Sequence, residues 1–119
     1  MAIIYTLSNC DSSRAATKWL RAHGIDFEER AIRDSPPTVK ELRAALGACG
    51  GEVRKLFNTA GRDYREQKLA EKLPAMSESA ALALLADNGN LVKRPFFIGE
   101  NVVLTGFDPS RWEAELVKL

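Results

Sequence analysis

The chain has 119 residues, 45% hydrophobic and 28% charged, with 17 basic and 16 acidic side chains and a formal net charge of +1. That length supports one domain around one core, and the near balance of charge gives no bulk attraction to nucleic acid or to an anionic membrane. A single histidine excludes a Cys/His zinc cluster, and no apolar run approaches the ~20 residues of a membrane span.

Ala2 to Leu7 is a short apolar run predicted as a buried strand. The N-terminus lacks the basic flank and cleavage site of a signal peptide, so a cytoplasmic protein is expected, with Cys10 and Cys49 reduced. Ser8-Asn9-Cys10-Asp11-Ser12-Ser13 is dense in helix-capping residues. From Ser13 a helix is predicted with Ala16, Leu20 and His23 on a face shared with Ala15 and Trp19, ended by Gly24 at C′. Ile25 to Ala31 alternates apolar and charged residues and reads as a second, parallel strand, completing a βαβ unit.

Asp34-Ser35-Pro36-Pro37 breaks the pattern, and Thr38 caps a helix predicted to turn Val39, Leu42, Ala45 and Leu46 inward. The Gly-rich stretch 47–51 reads as the most flexible. A short helix is expected around Glu52 to Phe57, then a turn at 58–61. A charged helix from Arg62 to Lys72 is closed by Pro74, and another runs from Ser77 and Glu78 through Leu85 to end near Asn88-Gly89-Asn90. Pro95 to Ile98 and Val102 to Thr105, separated by Gly99-Glu100-Asn101, form a hairpin signal. Asp108 and Pro109 start a last helix with Trp112, Leu116 and Leu119 facing inward. The expected fold is α/β: a thioredoxin-like four-stranded mixed sheet with flanking helices. It is one domain over 1–119 with a helical insert at about 35–90, since ~60 residues are too many for a bare loop.

Chemistry points first to Cys10. It follows a strand and starts a helix, so the N–H groups of Ser12, Ser13 and Arg14 and the helix dipole would favour thiolate. Such positions bring a thiol pKa down to roughly 3.5–7.5. The alternative is a buried structural cysteine; the capping residues around it favour the reactive one. Ser13 makes the spacing Cys-x-x-Ser: a serine cannot resolve a mixed disulfide, but its hydroxyl steadies a thiolate. Cys49 reads as a core filler, or as a resolving thiol if the Gly-rich segment swings close. Arg94, just before Pro95 and the third strand, suits an oxyanion or a carboxylate through its planar fork, and is equally read as a solvated neighbour of Lys93. Candidate substrate contacts are Asn9, Arg14 and Pro95. His23 lies about 20 Å from Cys10 along the helix, too far to act as its base. Arg62, Arg65, Lys68 and Lys72, interleaved with Asp63, Glu66 and Glu71, read as a solvated helix face without the stacking aromatics of a nucleic-acid site.

Three segments together resemble the arsenate reductase/Spx (ArsC-like) family of thioredoxin-like proteins. They are Cys10-x-x-Ser13-Arg14 after Tyr5-Thr6-Leu7; Leu56-Phe57-Asn58-Thr59 with Tyr64-Arg65-Glu66; and Leu91 to Pro95 with Asn101 to Phe107. The resemblance spans nearly the whole chain. It implies Cys10 as the reactive thiol, Arg94 as the oxyanion-binding arginine and Pro95 as the family's cis-proline. Arsenate reductases of this type carry further arginines where this chain has Asn58-Thr59 and Gly106-Phe107, and a proline before the cysteine. Spx regulators often carry a second cysteine where Ser13 stands. The small branch of the family with suggested glutathione-dependent thiol reduction is the best match.

The expected function is therefore a thiol-dependent oxidoreductase, with catalytic Cys10, Arg94 and Ser13. Glutathione is the expected cosubstrate, glutaredoxin a further partner, and no bound cofactor or metal is expected. The chain is expected to be a monomer without direct nucleic-acid or membrane contacts. Arsenate reduction proper and an Spx-like role on RNA polymerase are the alternatives.

Overall fold

A computed structural model describes residues 2–117. Four strands, β1 (Ala2–Thr6), β2 (Phe27–Ala31), β3 (Phe96–Ile98) and β4 (Val103–Thr105), form one sheet in the order β2-β1-β3-β4. β1 runs parallel to β2 and antiparallel to β3, and β4 is antiparallel to β3. This is the thioredoxin-like α/β arrangement that the sequence pattern predicts. β2 takes the edge and carries Glu28, Glu29 and Arg30, charges that blunt an exposed row of backbone groups.

The two-residue period of the strands divides the core. Ile4, its partner Phe97, and Leu104 opposite Phe97 turn to one face, where α1 (Asp11–Ala22) and α6 (Pro109–Leu116) cover them with Ala16, Leu20 and Trp112. Trp112 is the hub of this layer: its ring lies 5.2 Å from Phe97, 5.0 Å from Phe107 and 5.9 Å from Trp19, and its Nε1 donates to the Gly106 carbonyl at 3.1 Å. Tyr5 and Phe96 turn to the other face, into the larger cluster built with the insert. There the insert contributes Leu42, Ala45, Leu46, Leu56, Phe57, Leu82 and Leu85. The insert therefore shares its core with the sheet.

α1 starts at Asp11, two residues before the predicted start, and its buried stripe is Ser13, Ala16, Thr17 and Leu20. Ala15 and His23, expected on the inner face, are exposed; His23 ends the helix and stacks on Trp19 at 3.9 Å. Gly24 then turns the chain with φ +67, a conformation that costs a glycine little.

α2 (Val39–Ala48) is capped as predicted: Thr38 Oγ1 accepts from the Glu41 N–H at 3.1 Å and Glu41 returns a bond to the Thr38 N–H. Val39 is not inward but 38% exposed, because the first turn of α2 projects past the buried cluster, which begins at Leu42. The predicted short helix is a 3₁₀ turn over Val53–Leu56.

The single charged helix predicted for 62–72 is instead two, α3 (Arg62–Glu66) and α4 (Leu69–Lys72), separated at Lys68, which adopts φ 54. The reason lies in the core. Tyr64 and Leu69 are both buried, yet five residues along a continuous helix would set them about 140° apart on its circumference. Breaking the helix brings both inward. Pro74 sits within a 3₁₀ turn, Leu73–Ala75, that follows directly. α5 (Glu78–Asp87), capped by Ser77, gives way to a 3₁₀ turn at Gly89–Leu91. Leu116 packs against the α1/α6 cluster as expected, whereas Leu119 lies outside the described residues.

Two long-range junctions close the insert onto the sheet. Phe57 and Val92 form an isolated antiparallel bridge, with Asn58 N–H to Leu91 O at 2.7 Å and Lys93 N–H to Leu56 O at 2.8 Å. Gly89 presses on the chain leaving β2, so closely that a Cβ there would lie 1.8 Å from the Ile32 carbonyl oxygen.

Candidate active site

The end of β1 sets the position of Cys10. The chain leaves the strand at Thr6, turns through Ser8 and Asn9, and the Cys10 N–H donates back to the Leu7 carbonyl at 3.0 Å. Cys10 is the N-cap of α1, with extended backbone (φ −106, ψ 119) and no side-chain capping bond. Its sulfur thus sits among the first N–H groups of the helix, where the positive end of the dipole favours negative charge. Cys10 is half-buried and not in a disulfide.

Ser12 and Ser13 divide the work around the sulfur. Ser12 Oγ lies 3.2 Å from Cys10 Sγ. Ser13 is buried, at 2% exposure, and its Oγ accepts from the Leu7 N–H at 3.2 Å, which leaves its hydroxyl proton free for the sulfur. Burial pushes the Cys10 thiol up, but hydrogen bonds from Ser12, from the Ser13 hydroxyl and N–H, and last from Arg94 outweigh it and bring the pKa down to about 7. Arg94 Nη1 lies 3.5 Å from the Asn90 carbonyl.

Arg94 arrives from the neighbouring strand β3. Tyr5 pairs with Phe96 across β1 and β3, so the residues before β3 come up beside the Leu7–Cys10 turn. The Arg94-Pro95 peptide is cis, and the buried Pro95 carbonyl accepts from the Gly106 N–H at 2.9 Å. Arg94 Nε is buried without a hydrogen-bond partner among the described residues.

The remaining predicted contacts are not aimed at the sulfur. Arg14 Nη1 donates to the Ser8 carbonyl at 3.0 Å and its Nη2 pairs with Asp11. Its backbone N–H, expected to face the sulfur, donates instead to the Cys10 carbonyl at 3.1 Å, because it is already within the helical ladder. Arg14 therefore braces the loop. Asn9 is exposed in the turn. Cys49 is the C-cap of α2 and packs against the insert core, and it is not among the groups that shift Cys10. Among the described residues no group of three or more metal-ligating side chains occurs.

A polar cavity of about 200 Å³ adjoins the site through Arg94, lined by Arg33, Asn58, Gly61, Arg62, Asp63, Asn90 and Arg94. Arg33 and Arg62 carry no sequence motif, and only the closure of the insert brings them to Arg94.

The ArsC family profile matches residues 5–115 of the chain. The chain belongs to the ArsC family. YusI of Bacillus subtilis (strain 168) is 41% identical over 109 residues, 92% of each chain. The global transcriptional regulator Spx of Enterococcus faecalis is 32% identical over 91% of this chain and 80% of its own. An ArsC family related protein from Bacteroides fragilis superposes with a TM-score of 0.88 at 44% identity, covering 95% of both chains. A possible arsenate reductase from Streptococcus mutans UA159 also reaches 0.88, at 31% identity and 98% coverage of both. ArsC membership and the shared fold thus agree with the resemblance seen in the three sequence segments.

One measurement checks the electrostatics of this ArsC site directly. Alkylation of Cys10 should follow the thiolate, rising to half its plateau rate near pH 7 and falling away below. Ser12→Ala should move that midpoint upward, since it removes the leading hydrogen bond. Linkage has the same sign: the native pKa is depressed, so the thiolate's contribution to stability is complete above the unfolded thiol's pKa and is lost as pH falls through about 7.

Proposed function

We propose that this ArsC-family chain is a cytoplasmic monothiol oxidoreductase in which Cys10 exchanges with disulfides and glutathione resolves the adduct. The observation that carries this reading is the Cys10 sulfur at the start of α1, faced by Ser12, Ser13 and Arg94 and by no second cysteine. A thiol with a pKa near ambient pH is the optimum attacker, because the gain in thiolate fraction outweighs the intrinsic nucleophilicity lost with the lower pKa.

The reaction follows from these parts. The Cys10 thiolate attacks one sulfur of a disulfide, forms a mixed disulfide with that half, and expels the other half as a thiolate that takes a proton from solvent. A glutathione thiolate then attacks the substrate-derived sulfur, giving a glutathione mixed disulfide and regenerating the Cys10 thiolate. Ser12 and Ser13 stabilise the sulfur's charge at both ends of the cycle, and Arg94 adds positive charge beside it. Ser13 in place of a second cysteine is why an external thiol is required.

Arsenate reduction is the second reading, favoured by arsenate reductases among the structural relatives, such as that from Vibrio cholerae at 25% identity and a TM-score of 0.80. It ranks lower because, among the described residues, Arg94 is the one cation facing the sulfur. The likeness to Spx supports a third, regulatory reading through RNA polymerase. Incubation with oxidised glutathione followed by intact-mass measurement separates them. One glutathione adduct mapped to Cys10, and released by reduced glutathione, is expected; no adduct on Cys10 would overturn the oxidoreductase reading.

A further inference from the structure

The cavity that adjoins the site through Arg94 has a charge that the exchange reaction does not explain. Its lining holds three guanidiniums, Arg33, Arg62 and Arg94, against the single carboxylate of Asp63. That carboxylate is already engaged: Asn88 Nδ2 and Asn90 Nδ2 donate to Asp63 Oδ2 at 3.2 and 3.3 Å, and Arg62 Nε lies 3.6 Å from Oδ1 and, outside the lining, 4.0 Å from Glu66 Oε2. Asn90 Oδ1 in turn accepts from Arg33 Nε at 2.5 Å. Asn90 therefore holds Arg33 by its side chain and Arg94 by its carbonyl. These bonds fix the forks of two arginines while leaving other guanidinium donors unengaged, and Arg94 Nε, buried, has no partner among the described residues. Net positive charge, orienting amides and an unsatisfied buried donor are the features of a carboxylate-binding site.

Arg94 belongs to both places. It lines the cavity and also faces the Cys10 sulfur, whereas Arg33 and Arg62 do not face the sulfur. A compact oxyanion held by Arg33 and Arg62 would engage residues that do not act on the nucleophile. A carboxylate tethered to a sulfur by a short chain reaches both. We propose that this cavity binds a carboxylate of the disulfide substrate, so that the enzyme selects small disulfides carrying a carboxylate a few bonds from the reacting sulfur. The inference rests on the monothiol reading above and adds its substrate class. The step is the same exchange: the S–S bond of the substrate breaks, a Cys10–sulfur bond forms, and the carboxylate takes no part in electron transfer.

The test is the rate of mixed-disulfide formation on Cys10, read by intact mass, with 3,3′-dithiodipropionate and with the neutral 2-hydroxyethyl disulfide. The wild-type chain should react roughly tenfold or more faster with the dicarboxylate, relative to the two reagents' rates with a free thiol of similar pKa. Arg33→Gln and Arg62→Gln should each lower that ratio severalfold, and Arg33→Lys should retain part of it. Arg43→Gln, at an exposed arginine paired with Glu78 outside the cavity, should leave the ratio where it was. A wild-type ratio near one, a ratio that survives both glutamine substitutions, or an equal fall in Arg43→Gln would overturn the proposal while sparing the exchange reaction. Failure of Cys10 to react with either disulfide would overturn both.

Discussion

Cys10→Ser should abolish thiol–disulfide exchange, leaving only the background rate of glutathione with the substrate. A serine hydroxyl at the start of α1 remains protonated at neutral pH, whereas the Cys10 thiol, with a pKa of about 7, is half ionised there. No neighbouring thiol replaces it, because Cys49 is packed against the insert core and Ser13 occupies the position a resolving cysteine would take. The substitution should leave the fold intact, since serine is a preferred N-cap residue and Cys10 makes no side-chain capping bond that could be lost. Turnover with glutathione and a small disulfide, measured beside circular dichroism and thermal unfolding, checks both statements. Residual turnover above background in Cys10→Ser would move the chemistry to another group.

Gly89→Ala should destabilise the protein by roughly 3 kcal/mol or more, at the upper end of what overpacking costs. The added Cβ would stand 1.8 Å from the Ile32 carbonyl oxygen and 2.6 Å from its carbon, and both of these are backbone atoms. No rotamer change relieves that contact. The 3₁₀ turn at Gly89–Leu91 would have to lift from the end of β2, and Asn90 would carry with it the bonds to Arg33 and to Arg94. Denaturant unfolding should show the lost stability, and the alkylation profile of Cys10 should shift upward as Arg94 withdraws. A stable Gly89→Ala protein with an unchanged profile would show that the junction is softer than its geometry implies.

Local signals made most of the framework legible before any coordinates. The first strand, the Thr38 and Ser77 caps, the hairpin and the Asp108-Pro109 helix start each rest on residues within a few positions of one another, and each is found where the sequence puts it. The same holds for Cys10 and Ser13, whose proximity follows from one turn of helix. Two features escaped because their causes are remote in sequence. The break at Lys68 answers the joint burial of Tyr64 and Leu69, which charge spacing along 62–72 does not reveal. The meeting of Arg33, Arg62 and Arg94 depends on Gly89 seating against Ile32, and no motif spans those positions. Arg14 has a local cause that its position beside Cys10 does not reveal: its guanidinium is engaged by Asp11 and the Ser8 carbonyl.

The placement of the two tryptophans decides what optical spectroscopy can see in this protein. Trp19 and Trp112 meet edge to face in the layer formed by α1 and α6, with Phe107 against both and His23 stacked on the former. Tryptophan emission, as distinct from that of Tyr5 and Tyr64 in the insert cluster, therefore monitors melting of that layer, with His23 stacked on Trp19 adding sensitivity to the C-terminal end of α1. Opening of the insert would leave the tryptophan signal largely unchanged. A probe introduced on α5 would be needed to follow it.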